Sequence, residues 1–173
     1  MGRFSTRLSY RFLQFFEAIR FDKRGIPVEI VQAVLNPSQM TMFQSMRAVE
    51  QVHAFSVLQR LRRQGQEDRD LLTAALLHDA GKNLYPLSLV ERVIVVLGKK
   101  FLPHLARQWE QGKPRGLRRS FVVAARHAEW GAELLRTTGA SPVAVELVRR
   151  HHDAVTADDG SLLLALQAAD DST

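Results

Sequence analysis

Six histidines and no cysteine in 173 residues mean that any transition-metal chemistry here must use nitrogen and oxygen donors. The first candidate is the stretch "ALLHDAGK", residues 75–82, where an apolar run gives way to His78, Asp79, a helix-breaking glycine and Lys82. One His-Asp dipeptide means little, because chance alone supplies roughly 0.3 such pairs in a chain of this composition, and His152-Asp153 is a second. The pair gains meaning from its company: His53 in "MRAVEQVHAFSVLQRL", His127 in "RHAEWGAELL", His151-His152 closing "SPVAVELVRRHH", and Asp170 closing "LLLALQAAD". Taken singly, a histidine at a helix C-terminus reads as a dipole-compatible cap and a terminal aspartate as a solvated group. Together they offer five imidazoles and two carboxylates from five helices, a donor set suited to Fe, Mn, Co, Ni or Zn.

Those side chains are carried by segments with helical rather than alternating periodicity, and the sequence predicts an all-α fold. Helices are expected over 6–20, 27–35, 38–64, 68–79, 87–97, 103–110, 120–137, 142–152 and 160–171. Pro27 and Pro142 suit first helical turns, Ser141 suits an N-cap, and Gly81, Gly98 and Gly139 suit helix ends. On a helical wheel Met46, Val49 and Val57 fall within about 40° of His53, which turns that imidazole inward. Leu72, Ala75, Leu76 and Asp79 share another stripe. A carboxylate driven inward in this way must meet a cation, a donor or a metal. Residues 1–37 read as a helical extension packed on a domain spanning 38–173, and no internal repeat or linker divides the rest.

The formal charge of +6 favours anionic partners without choosing among them. Basic residues gather over 98–120, as a solvated linker with basic helix ends or as a docking surface for an acidic partner. Zinc-finger spacing, aromatic sheet motifs and a basic region followed by heptads are all missing, so no specific nucleic-acid module is expected. No apolar run approaches the roughly 20 residues needed to span a bilayer. The Arg- and aromatic-rich start, "MGRFSTRLSYRFLQFFEAIRF", lacks the features of a secretory signal, which makes a cytoplasmic location the expectation.

The order His53, His78-Asp79, His127, His151-His152, Asp170, with the motifs "HDAGK", "HAEWGAELL", "VRRHHD" and "LQAADD", resembles the HD superfamily of metal-dependent phosphohydrolases over roughly residues 40–171. The resemblance implies a helical bundle with a central metal site ligated by His53, His78, Asp79 and Asp170. It also implies that two-metal members add histidines at the positions of His127 and the His151-His152 pair, with the Asp of the doublet bridging. On that pattern the metal ligands are His53, His78, Asp79, His127, His151 and Asp170, holding one or two divalent ions (Fe, Mn, Co, Ni or Zn, with Mg possible), and a binuclear site is favoured. Two such cations can generate a hydroxide nucleophile at neutral pH and clamp a phosphoryl group. Lys82 is placed to reach a phosphate oxygen as a point charge. His152, as the non-ligating member of its doublet, can donate to substrate or move a proton. Asp79, Lys82 and His152 are therefore the expected catalytic residues. Gly131 either admits a close backbone or substrate approach or simply packs within its helix.

The expected function is hydrolysis of a nucleotide or another small phosphorylated metabolite. Branch-specific residues narrow this. The Gly-Tyr-Pro of cyclic di-guanylate phosphodiesterases does not follow the paired histidines, and the Glu-Asp of guanosine tetraphosphate hydrolases does not follow His78-Asp79. "HDAGK" and His127-x-x-x-Gly131-Ala132 are similar to the branch that splits diadenosine tetraphosphate, although the polar segment after the fourth histidine is not evident. The alternatives are a non-catalytic metal-containing binding module and, behind it, a di-iron oxygenase built from the same ligand types.

Overall fold

The structure, a computed structural model, describes residues 25–156 and 160–173. The helix expected over 6–20 lies outside the described residues. Among these, secondary structure is entirely helical: α1 (Val28–Gln32), α2 (Pro37–Ser45), α3 (Ala48–Arg63), α4 (Arg69–Leu77), a 3-10 turn (Ala80–Leu84), α5 (Leu89–Phe101), α6 (Pro103–Trp109), a second 3-10 turn (Gly116–Arg118), α7 (Arg119–Arg136), α8 (Pro142–Arg150) and α9 (Ser161–Asp171). The all-α fold read from the sequence is the one observed.

Four of the α-helices, α2, α4, α5 and α8, start where a side chain accepts one of the first free N–H groups. Asn36 and Gln39 form a reciprocal capping box ahead of α2, and Ser88 and Glu91 do the same for α5. Asp68 accepts from the Leu71 N–H at 2.9 Å and Ser141 from the Ala144 N–H at 3.0 Å, the latter with Pro142 in the first turn as expected.

The chain departs from the expected helices in two places. The single helix over 38–64 is two, because Met46 and Arg47 are extended (ψ 153° and 151°). Neither Pro nor Gly marks that break. It is held by long-range bonds: Asn83 Nδ2 donates to Ser45 O, Gln51 Nε2 to Met46 O at 2.7 Å, and Arg47 Nη1 to Leu87 O at 2.6 Å. Gly98, expected to end a helix at 97, lies inside α5, which continues to Phe101. A Cβ on Gly98 would stand 2.5 Å from Phe121 Cζ, so this glycine serves helix-to-helix packing rather than termination.

The main core is built by α3, α8 and α9 around α4, with α7 packed against α8, and Leu58, Leu61, Leu76, Leu135, Val148 and Leu166 are fully sequestered. A smaller cluster, Val95, Ala106 and Phe121 with Trp109 alongside, attaches α5 and α6 to the outer end of α7. The buried Glu50 pairs with Arg92 and thereby ties the start of α3 to α5.

Candidate metal centre

Five helices deliver the polar groups to one place. His53 comes from the middle of α3, His78 and Asp79 from the end of α4, His127 from α7, His151 and His152 from the end of α8, and Asp170 from the last turn of α9. The α4 corner is seated by glycine. A Cβ on Gly81 would lie 2.0 Å from His127 O and 2.6 Å from Gly131 N, and one on Gly131 would meet Gly81 N at 3.3 Å. Backbone therefore meets backbone here, and the turn carrying Asp79 is pressed against the helix carrying His127. For Gly131 this is the close backbone approach that its position suggested; Gly81 is a contact residue rather than a helix terminator.

Ring orientation follows from each histidine's own helix. His78 Nδ1 lies 2.9 Å from Ala75 O, His127 Nδ1 3.1 Å from Val123 O, and His151 Nδ1 2.7 Å from Val148 O. A carbonyl oxygen only accepts, so each Nδ1 carries a proton, which in a neutral ring leaves Nε2 as a bare lone pair. These lone pairs converge on Asp79: His127 Nε2 is 3.4 Å and His151 Nε2 3.9 Å from its Oδ1, while His78 Nε2 is 3.6 Å from its Oδ2. His78 Nε2 is also 3.6 Å from Asp170 Oδ1, to which His53 Nε2 donates at 2.8 Å. His152 stacks on His151 with ring centroids 4.0 Å apart, and its Nε2 stands 3.1 Å from His127 Nε2.

Acceptors facing acceptors inside a protein are unstable without a cation between them. Among the described residues, His78 Nε2, Asp79 Oδ1 and His151 Nε2 are buried with no hydrogen-bond partner. Two overlapping sets have donor atoms all within 4.8 Å of one another: Asp79, His127, His151 and His152, and His53, His78 and Asp79. The orphaned atoms, their nitrogen–oxygen chemistry and the locked tautomers fit a divalent ion.

The protonation states suit the same use. Burial pushes the His78 and His151 imidazoles below their ordinary value, His151 well below, and brings His152 down to about 4. They stay neutral, as ligation requires. Burial alone would raise the Asp79 carboxyl, but Lys82 and the adjoining histidines outweigh it and hold the group well below the usual carboxylate range. Lys82 Nζ sits 2.5 Å from Asp79 Oδ2. For Asp170 burial is likewise overcome, first by the His53 hydrogen bond and then by His78 and His53 charge.

Every residue expected at the site from the sequence is thus in or beside the cluster; the sixth histidine, His104, is exposed on α6. Two contributors have no signal in residue type alone. The carbonyls of Ala75, Val123 and Val148 act through backbone placement three or four residues before each histidine, and Gly81 acts through a contact with a segment about 46 residues away in sequence.

Fold and site together define an all-helical protein whose core gathers histidine and aspartate into a pocket of donors fit for a metal ion. Residues 51–172, more than two thirds of the chain, match the HD domain family, and the protein belongs to it. That superfamily is of metal-dependent hydrolase type. No curated protein and no solved structure matches the chain.

Proposed function

We propose that this protein is a metal-dependent phosphohydrolase acting on a small phosphorylated metabolite, with a nucleotide the favoured substrate. The supporting observation is the convergence of unpartnered, buried lone pairs of His78, Asp79 and His151 beside a lysine that reaches the same carboxylate. Its ligands are His53, His78, Asp79, His127, His151 and Asp170. Because Asp79 belongs to both donor sets, with Oδ1 turned to His127 and His151 and Oδ2 to His78 and Lys82, a two-ion site bridged by Asp79 is the reading we favour. Divalent ions bound there would supply a Lewis acid and a water acidic enough to attack phosphorus near neutral pH.

The chain's own groups do the rest. Lys82, about a third exposed, balances Asp79 through a flexible stem. Once another cation takes over that charge, its ammonium is free to swing to a non-bridging phosphate oxygen. His152 lies on the solvent side of the doublet, is neutral above about pH 4, and is placed to accept or return a proton at Nε2. His53 holds Asp170 from the opposite side.

The test is a panel of nucleotides and simple phosphate esters assayed for released phosphate with Mn, Co, Ni and Mg, alongside elemental analysis of the purified protein. Metal-dependent release that is lost in Asp79→Ala is the expected result. Bound metal without turnover of any phosphate ester would overturn the assignment. Iron with substrate-dependent oxygen uptake would replace it with the oxygenase.

A further inference from the structure

α5 is amphipathic, but among the described residues nothing covers part of its apolar face. Val90, Ile94, Leu97 and Phe101 recur at i, i+4, i+7 and i+11, one stripe along the helix, and all four are exposed, Val90 by 67% and Phe101 by 66%. They are the centre of a larger concentration. Among the described residues, nine of the thirteen exposed large hydrophobic side chains lie between Leu84 and Leu117. Leu117, in the second 3-10 turn, is 81% exposed. A patch of this kind marks a binding surface.

The charge is concentrated in the same part of the molecule. Residues 98–120 hold seven Lys and Arg against one acid, Glu110, and so carry the whole formal charge of +6; the other 150 residues carry seventeen of each sign. Lys99 and Lys100 close the striped helix, and Arg115, Arg118 and Arg119 bracket Leu117. We propose that this α5–α6 face docks on an anionic lipid surface, with the stripe entering the headgroup boundary and the surrounding lysines and arginines meeting lipid phosphates.

The combination selects this partner over others. Nucleic acid would satisfy the charge, but it offers nothing to exposed Val, Ile and Leu, which outnumber the aromatic rings of the patch, Tyr85 and Phe101. A second copy would bury the stripe at the cost of bringing two strongly basic faces together. The first 24 residues, with six basic and two acidic side chains, have the same charge sign and share that objection. An anionic bilayer accepts both components at once, and no helix among the described residues is long and apolar enough to cross it.

The full-length protein should co-sediment with vesicles of phosphatidylcholine and phosphatidylglycerol, but not with phosphatidylcholine alone, and half a molar salt should weaken binding at least tenfold. Val90→Glu with Phe101→Glu alters only exposed positions and should cut vesicle binding at least tenfold while leaving the circular dichroism melt unchanged. Lys99→Gln with Lys100→Gln should cut it severalfold. The proposal is overturned if the wild-type protein ignores anionic vesicles. It is overturned equally if the Val90/Phe101 variant binds them as well as wild type. Two other results also sink it: wild-type protein that sediments as a dimer and that variant as a monomer, with vesicles ignored by both, or a duplex oligonucleotide that binds wild type and variant alike and outcompetes the vesicles.

Discussion

α4 and α5 are both rich in aliphatic residues, yet they stand in opposite relations to water. α4 buries every position from Leu71 to Leu77 and ends in His78-Asp79, whereas α5 buries Val95 alone and ends in Lys99-Lys100. Composition does not separate them; surroundings do. α4 is enclosed by α3, α8 and α9, so any polar group at its end is forced among other buried groups and must be matched there. Among the described residues α5 packs on α6 and the outer end of α7 and reaches α3 through the Arg92–Glu50 pair, so its polar end stays solvated and its spare apolar face stays open.

That contrast can be broken most severely at Asp79. Asp79→Ala should lose bound metal and all metal-dependent hydrolysis, read by elemental analysis and phosphate release; unchanged metal content would remove Asp79 from the ligand set. Next in size is Gly81→Ala, whose Cβ would collide with His127 O. It should cost about 3 kcal/mol of stability, seen as a lowered midpoint in denaturant, because the backbone on both sides has little room to shift. A stable Gly81→Ala protein would mean that the turn is not pressed onto α7.

Lys82→Ala should lower kcat/KM for a phosphorylated substrate roughly tenfold to a hundredfold with metal content intact, the size expected for one charge acting in the transition state. Equal kinetics in both proteins would make Lys82 a partner of Asp79 only. The chelated protein should also respond to acid with a definite sign. His78, His151 and His152 bind protons more weakly folded than unfolded, so stability is full above pH 6.5 and is lost as pH falls toward about 4, the His152 value. A melting temperature that stays flat across that interval would contradict the burial of these rings. The gentlest probe is hydrogen exchange, in which α5 amides should exchange well before those of α4. Equal protection would erase the distinction between the two helices.

Much of this was readable in the sequence because local signals and global packing agree. Ser141-Pro142 starts α8 as its chemistry dictates, and each histidine or aspartate of the site sits on or closes an apolar helix, so its direction follows from the wheel. What escaped is what depends on distant partners. The break at Met46-Arg47 is made by Asn83, Gln51 and Leu87 rather than by its own residues. Gly98 and Gly81 look like helix punctuation until Phe121 and His127 are seen to occupy the space a side chain would need. The exposed stripe of α5 has the same periodicity as a core-facing helix, and what distinguishes the two is the absence of a neighbour among the described residues.

The bonds from His78, His127 and His151 to carbonyls of their own helices have one more consequence. They depend on nothing bound in front of the rings, so each helix sets the direction of its own ring as the chain folds, while the facing lone pairs still call for a cation between them. On the proposed reading such a scaffold should tolerate stripping and reloading in mild solution, and the identity of any ion it takes would then reflect supply at least as much as shape.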